Sequence, residues 1–247
     1  MGENPEIHVL DHKVRLFQPQ NGFRTSLDSV FLASACKAQA GEKVLDMGTG
    51  VGGAAFCLLW RVTGCYVTGV EIQRSHAELA IKNIALNNAE GYADFVCADI
   101  RDYAPNERFD HVICNPPYLE AGSYTPSPLE EKAKALGHEG SDVSLNDWID
   151  AAFRNLKSGG SITMIHRADY ADKIIQGLGR KFGAIDIIPL YPRVGEDAKR
   201  VIIRAIKDRK TPARLMAGIV LHEADGSYTQ AADAILRTGA AIGSALP

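Results

Sequence analysis

Paired cysteines are missing from this chain. Its five cysteines (Cys36, Cys57, Cys65, Cys97, Cys114) lie singly in apolar stretches, with no C-x-x-C pair. That pattern excludes a disulfide framework and the usual zinc-ligand spacings, and it is expected of a reducing compartment. No apolar run reaches 18 residues and no signal-peptide pattern is seen, so neither a membrane span nor export is expected and a cytoplasmic protein is. An excess of positive charge is lacking too. The 27 Lys and Arg against 30 Asp and Glu give a formal net charge of −3, which removes any global electrostatic case for nucleic acid and leaves room only for a local patch. His222, Glu223 and Asp225 resemble metal ligands superficially, but their spacing matches no recognised site, and no metal is expected. There is no internal repeat. What remains is an ordinary globular composition, 46% hydrophobic and 23% charged over 247 residues, enough to bury roughly 70–75% of its potential surface around one core.

The chain is organised around Val44 to Glu71. A short apolar run stops at Asp46, glycines follow at 48, 50, 52 and 53, a helical pattern runs from Ala54 to Trp60, and a second β-like run, Cys65 to Val70, ends on Glu71. Strand, glycine turn, helix, strand and acidic residue make one βαβ unit. Glycines let the backbone turn sharply and approach a ligand, and the helix start offers free N–H groups. Gly48, Gly50 and Gly53 also fit the dinucleotide fingerprint, and a tight turn without ligand is the plain alternative. Asp46 at the strand end would repel a phosphate, and Asp99 ends a third β-like run, Ala93 to Ala98. Three acidic strand ends suit a ligand with an ammonium, ribose hydroxyls and an exocyclic amine, which describes S-adenosylmethionine better than NAD.

Around this unit the pattern alternates. A small hairpin is expected at Ile7–Leu10 and Val14–Gln18, then a helix from about Leu27 to Lys37 with Thr25 and Asp28 at capping-box spacing. The Asn21-Gly22 turn carries Phe23 and Arg24 toward that helix and is read as a segment that closes over the ligand. Ser75 and Glu78 have the same box spacing before a second helix, and Ser144 and Asp147 before a helix from Asn146 to Leu156. Further strands are expected at Phe109–Cys114, Ser161–His166, Ile185–Leu190 and Arg200–Ala205, with helices from about Tyr170 to Arg180 and Gln230 to Arg237. Repeated βα units predict an α/β three-layer sandwich with a mostly parallel sheet, and the last strand, lacking an intervening helix, returns antiparallel. Residues 1–247 are read as one domain, with residues 1–24 a hairpin and cofactor-closing segment and 208–247 a C-terminal extension. Leu119–Val143 is an insert of about 25 residues where a few would do, and is read as functional or mobile.

The strand Phe109–Cys114 runs straight into Asn115-Pro116-Pro117-Tyr118. Two prolines fix the backbone and remove donors, leaving rigid carbonyls at the carboxyl end of a sheet strand, where α/β proteins bind ligands. An exocyclic amine needs two acceptors to align its lone pair and a ring to stack its base. Asn115, the Pro116 carbonyl and Tyr118 supply these, and positioning alone contributes several kcal/mol. A proline-stiffened strand end is the bland alternative.

On these residues the chain resembles the class I S-adenosylmethionine-dependent methyltransferases of the amino-methylating NPPY group. Within it the chain is most similar to bacterial tRNA adenine-N6 methyltransferases acting beside the anticodon of valine tRNA. The resemblance spans QPQNGFRTSLDSVFLA, VLDMGTGVGGAAFCLL, Glu71, Asp99, NPPYL and the tail LHEADGSYTQAADAIL. It implies a Rossmann-like, seven-stranded sheet and S-adenosylmethionine as cofactor. It places Asp46 and Gly48-Thr49-Gly50 beside the methionine moiety, with Arg24, Thr25 and Asp28 lining that end. Glu71 would hold the ribose hydroxyls, Ile72 pack on the adenine, and Asp99 with the Ile100 amide read it. Asn115 and Pro116 would then take the target amine, and Tyr118 its base.

Seven basic residues between Lys199 and Arg214 (Lys199, Arg200, Arg204, Lys207, Arg209, Lys210, Arg214) face one acid, Asp208. With Arg167, and with Lys132 and Lys134 of the insert, they are candidates for RNA phosphates, the alternative being solvated surface. His76, His111 and His166 are read as structural. Other readings stay open: another RNA base, a DNA base or a protein glutamine amide as acceptor; a nicotinamide-dependent oxidoreductase; or a non-catalytic RNA-binding protein with a vestigial pocket.

Overall fold

The computed structural model describes residues 4–19, 25–118 and 143–245. Arg24, the Asn21-Gly22 turn and all of the expected insert except Val143, with Lys132 and Lys134, lie outside the described residues. An N-terminal hairpin, β1 (Glu6–Val9) and β2 (Val14–Phe17), stands apart as a two-stranded antiparallel sheet. Then follow α1 (Leu27–Ala35), β3 (Lys43–Met47), α2 (Gly53–Arg61), β4 (Tyr66–Glu71), α3 (Arg74–Leu86), β5 (Ala93–Cys97) and β6 (Phe109–Cys114). The rest is α4 (Leu145–Asn155), β7 (Leu156–Arg167), a 3-10 turn (Ala168–Tyr170), α5 (Ala171–Leu178), β8 (Phe182–Tyr191) and β9 (Arg200–Lys207). Short strands β10 (Arg214–Leu215) and β11 (Ile219–Val220) precede α6 (Gln230–Thr238) and α7 (Ile242–Ala245). No helix among the described residues is long and apolar enough to cross a membrane.

The main sheet runs β5-β4-β3-β6-β7-β9-β8, parallel except for β9, which is antiparallel to both neighbours. The fold is therefore the expected Rossmann-like three-layer α/β sandwich. The sheet is wider than the seven strands expected: β10 and β11 pair with the outer edge of β8, at Asp186-Ile187 and at Leu190-Tyr191. Two-residue strands leave no periodic signal, but they cover an edge that would otherwise offer free N–H and C=O groups.

Alternation along the central strands feeds two cores. Val44, Ile113 and Ile202 face one layer with Phe31 and Phe56, while Leu45, Val112 and Ile203 face the other with Trp148 and Ile149. The helix starts differ in part from the reading. Ser144 and Asp147 form the reciprocal box, but Ser26, not Thr25, caps α1. Thr25 is packed against Gly53, where a Cβ would come within 2.8 Å of its methyl. No side chain caps α3, which begins one residue before Ser75.

The hairpin is fastened by two asparagines one turn apart on α3. Asn83 accepts from the Phe17 N–H and donates to the carbonyls of Phe17 and Val51; Asn87 accepts from the Arg15 N–H and donates to the Arg15 carbonyl. Four helical residues advance about 6 Å and two strand residues about 6.8 Å, so the two amides match the alternate residues of β2. Asn83 is fully buried, and through Val51 it ties the hairpin to the glycine turn.

Candidate active site

The chain leaves β5 and crosses to β6 on the other side of β3, so the carboxyl ends of β3 and β6 form a topological switch point, the place where open α/β sheets bind ligands. Met47 pairs with Cys114, which sets the glycine turn and Asn115 side by side. Gly48, Gly50 and Gly52 all have positive φ (66°, 59° and 90°). Their surroundings differ. A Cβ on Gly48 would lie 2.5 Å from Cη2 of Trp148, whereas one on Gly50 would meet nothing within 4 Å. Gly48 thus serves close packing, and Gly50 leaves an open cradle.

Acidic groups ring that cradle. Asp46, buried, accepts from Thr49 Oγ1 at 2.7 Å; burial pushes its carboxyl up to about 7, with the Glu71 charge adding to the effect. Glu71, also buried, accepts from the Gly50 N–H and the Gln73 N–H, each at 2.9 Å. It braces the turns after β3 and β4 while each carboxylate oxygen keeps lone-pair capacity. Ile72 is half-buried and Ile100 buried. Asp99 is already engaged: Arg101 donates its backbone N–H and its guanidinium to it and holds the carboxyl below its usual range. The sequence reading missed Arg101, although its place two residues after Asp99 is visible.

At the end of β6, Pro116 is buried, and the Oδ1 of Asn115 is buried with no hydrogen-bond partner among the described residues. Such an atom costs about 1–3 kcal/mol if left unmade, and it is the acceptor that a bound amine would satisfy. Tyr118 donates its hydroxyl to Asp28 Oδ2 at 2.6 Å, and Arg200 Nε donates to the same oxygen at 3.2 Å. Asp28 therefore faces the acceptor side in this structure as well as starting α1. Burial, then the Asp28 charge, push the Tyr118 phenol up. His166, read as structural, lies against Tyr118 and Tyr170 with a buried Nδ1 that has no partner among the described residues. Burial, helped by the Arg167 charge, pushes it down to about 4, so the ring is neutral near pH 7.

The basic run does not form one patch. Arg204 and Arg214 both pair with buried Asp186, and Arg167 pairs with Asp169. Lys207 is buried, its ammonium donating to the carbonyls of Phe153 and Leu156 at the end of α4. Because β9 is antiparallel, Arg200 lies opposite Arg167 at the site end. Lys207 pairs with Phe182 at the other end, and exposed Arg209 and Lys210 follow it there. Only Lys199 and Arg200 of this run stand at the site end. Among the described residues no cluster of His, Cys, Asp and Glu could hold a metal ion; His222 is instead stacked on Tyr228.

The cradle at Gly50, the braced acids and the orphaned Asn115 oxygen fit a nucleoside cofactor beside an amine acceptor. The methyltransferase small domain family matches residues 24–189. A curated relative from Shewanella baltica, named tRNA1(Val) (adenine(37)-N6)-methyltransferase, is 28% identical over 222 residues, covering 87% of this chain and 91% of its own length. A relative of the same name from Aeromonas salmonicida is 26% identical over 83% of this chain and 85% of its own. The crystal structure described as a predicted O-methyltransferase, protein Atu636 from Agrobacterium tumefaciens, is 28% identical with a TM-score of 0.71, over 87% of this chain and 97% of that one. A tRNA methyltransferase from Aquifex aeolicus, 16% identical with a TM-score of 0.54 over 77% of this chain and 72% of that one, shares the fold. On fold, site and match together, the chain belongs to the methyltransferase small domain family and is a class I S-adenosylmethionine-dependent methyltransferase.

Proposed function

We propose that this protein transfers a methyl group from S-adenosylmethionine to the exocyclic N6 amine of adenine in tRNA, the anticodon-adjacent adenosine of valine tRNA. The observation that carries the amine chemistry is the buried Asn115 Oδ1, unpartnered among the described residues, one strand from the glycine turn. The names of the Shewanella and Aeromonas relatives support the RNA base.

When bound, S-adenosylmethionine supplies a methyl group already activated on a positively charged sulfur. Glu71 would take the ribose hydroxyls, Asp46 and the Gly48–Gly50 backbone would neighbour the methionine moiety, and Asp99 with the Ile100 amide would read the adenine once Arg101 shares the carboxylate. The resemblance gives Thr25, Asp28 and Arg24 to the methionine end; Arg24 lies outside the described residues, and Asp28 holds Tyr118 and Arg200. Asn115 Oδ1 and the Pro116 carbonyl accept the two amine hydrogens and turn the nitrogen lone pair toward the methyl group, so no strong base or metal is invoked. With the cofactor bound, the nitrogen held by Asn115 and Pro116 would take the methyl group from sulfur and give up one proton to solvent. Tyr118 offers a face to the turned-out base, whose extrusion from a loop costs a few kcal/mol or less.

Transfer of labelled methyl to total unmodified tRNA, followed by nucleoside analysis, tests the proposal. The expected product is N6-methyladenosine. Label in another base would discard the adenine assignment, and no label with cofactor binding intact would discard RNA as the acceptor.

A further inference from the structure

Two groups lie against the ring that the functional reading gives to the acceptor base. The guanidinium carbon of Arg200 is 4.8 Å from the Tyr118 centroid, and His166 meets the ring at a steep angle with centroids 4.9 Å apart. They are not equally free to move. His166 is 2% exposed and held against Tyr170. Arg200 keeps 34% of its side chain in solvent and reaches the site from the first residue of β9, with its Nε on Asp28 and one Nη on the Lys199 carbonyl.

We propose that Arg200 is the second wall of the acceptor-base site: its guanidinium, lying over Tyr118 in this structure, gives way to the base and stacks on the base's far face. Stacked planes stand about 3.5 Å apart, near the optimal carbon–carbon contact. A base between Tyr118 and Arg200 therefore requires the guanidinium to withdraw by about 2 Å, a short move for a long side chain. A guanidinium suits both states, since it is planar, delocalised, weakly hydrated and stacks on aromatic faces. Asp28 Oδ2 accepts from both walls, so one atom registers them against each other. This role differs from that of a phosphate contact, which needs charge but no plane. It rests on the functional reading above, because it presumes a nucleobase acceptor.

The test is methyl transfer to unmodified tRNA by wild type, Arg200→Ala and Arg200→Lys, at about 50 and about 200 mM salt, with cofactor Kd and Tm measured on each variant. Loss of one stacking wall is expected to raise the KM for tRNA about tenfold, within the range for a base-stacking side chain. Arg200→Lys should lose nearly as much as Arg200→Ala, because it keeps the charge and loses the plane. The variant-to-wild-type ratio should hold at both salt concentrations, with cofactor Kd unchanged and Tm lowered in Arg200→Ala, which leaves buried Asp28 without its cation. An Arg200→Lys variant close to wild type, beside an Arg200→Ala defect that shrinks with salt, would make Arg200 a phosphate contact and overturn the inference. So would wild-type KM in both variants, or a defect confined to cofactor Kd. A wild type that labels no RNA base would instead overturn the functional reading, and this inference with it.

Discussion

Gly48→Ala offers the sharpest separation of packing from ligand access. The new Cβ meets two costs. At φ 66° a non-glycine residue is strained by about 1–2 kcal/mol. Standing 2.5 Å from Trp148 Cη2 and 3.2 Å from Cζ3, it also forces a buried indole to shift, and overpacking of that kind costs about 1–3 kcal/mol. The sum is about 2–5 kcal/mol, or a fall in Tm of roughly 4–20 °C for a chain of this size. Gly50→Ala carries the same backbone strain at φ 59° but no contact, so its fall should stay within roughly 2–8 °C while its Cβ projects into the cradle and weakens cofactor binding. Trp148→Phe withdraws the ring atoms that clash, and the indole Nε1 has no partner among the described residues to lose. The double variant Gly48→Ala/Trp148→Phe should therefore be more stable than the two single losses added together, by about 1–3 kcal/mol. Thermal and urea unfolding of the four variants, with calorimetric titration of cofactor, measure all of this. Equal losses of Tm for Gly48→Ala and Gly50→Ala, or strict additivity in the double variant, would refute the reasoning.

Asn115→Ala should lower turnover by on the order of 10²-fold, as loss of a preorganised polar group at a reacting centre does, while cofactor Kd measured by titration stays at the wild-type value; full activity would sink the amine-acceptor role. Asp46 binds its proton more tightly folded, at about 7, than unfolded, near 3.9, so stability falls as pH rises between those values and is level outside them. Asp46→Asn removes that slope, and its Tm relative to wild type should climb from pH 4 to pH 7; a constant difference would show the carboxyl to be ionised throughout. Asn83→Ala strands the Phe17 N–H and the carbonyls of Phe17 and Val51 and should cost on the order of 2–5 kcal/mol, with hydrogen exchange rising first in β2 and the glycine turn.

What the sequence made legible is what neighbouring residues decide among themselves. The β3-glycine-α2-β4 unit with Glu71 at its end, the strand Phe109–Cys114 and the Ser144–Asp147 box are written in periodicity, φ-tolerant residues and capping spacing, each within a short window. The departures came from contacts across long separations. Thr25 has capping spacing, yet Gly53 of another helix takes up its side chain. Arg204 and Arg214 look like free cations until β8 brings buried Asp186 between them. The Arg200–Tyr118 contact joins residues that only the sheet order makes neighbours, and His166 gains its place by standing at the end of β7 beside the motif that ends β6.

The reversed direction of β9 has a consequence for how this molecule meets a polyanion. An antiparallel strand of eight residues separates its ends by about 23 Å, and here that length parts Arg200 from Lys207, Arg209 and Lys210. A run that is dense in sequence becomes two sparse poles, with Asp186 neutralising the middle. A nucleic acid seated at the switch point can displace counterions at one pole only. With Arg200 given to stacking, binding through this run should therefore depend on ionic strength with a slope near that of a single phosphate, met by Lys199, not seven. On the proposed function, discrimination would then fall to the shape and stacking around Tyr118, and among the described residues of this run no broad electrostatic seal would have to break for the product to leave.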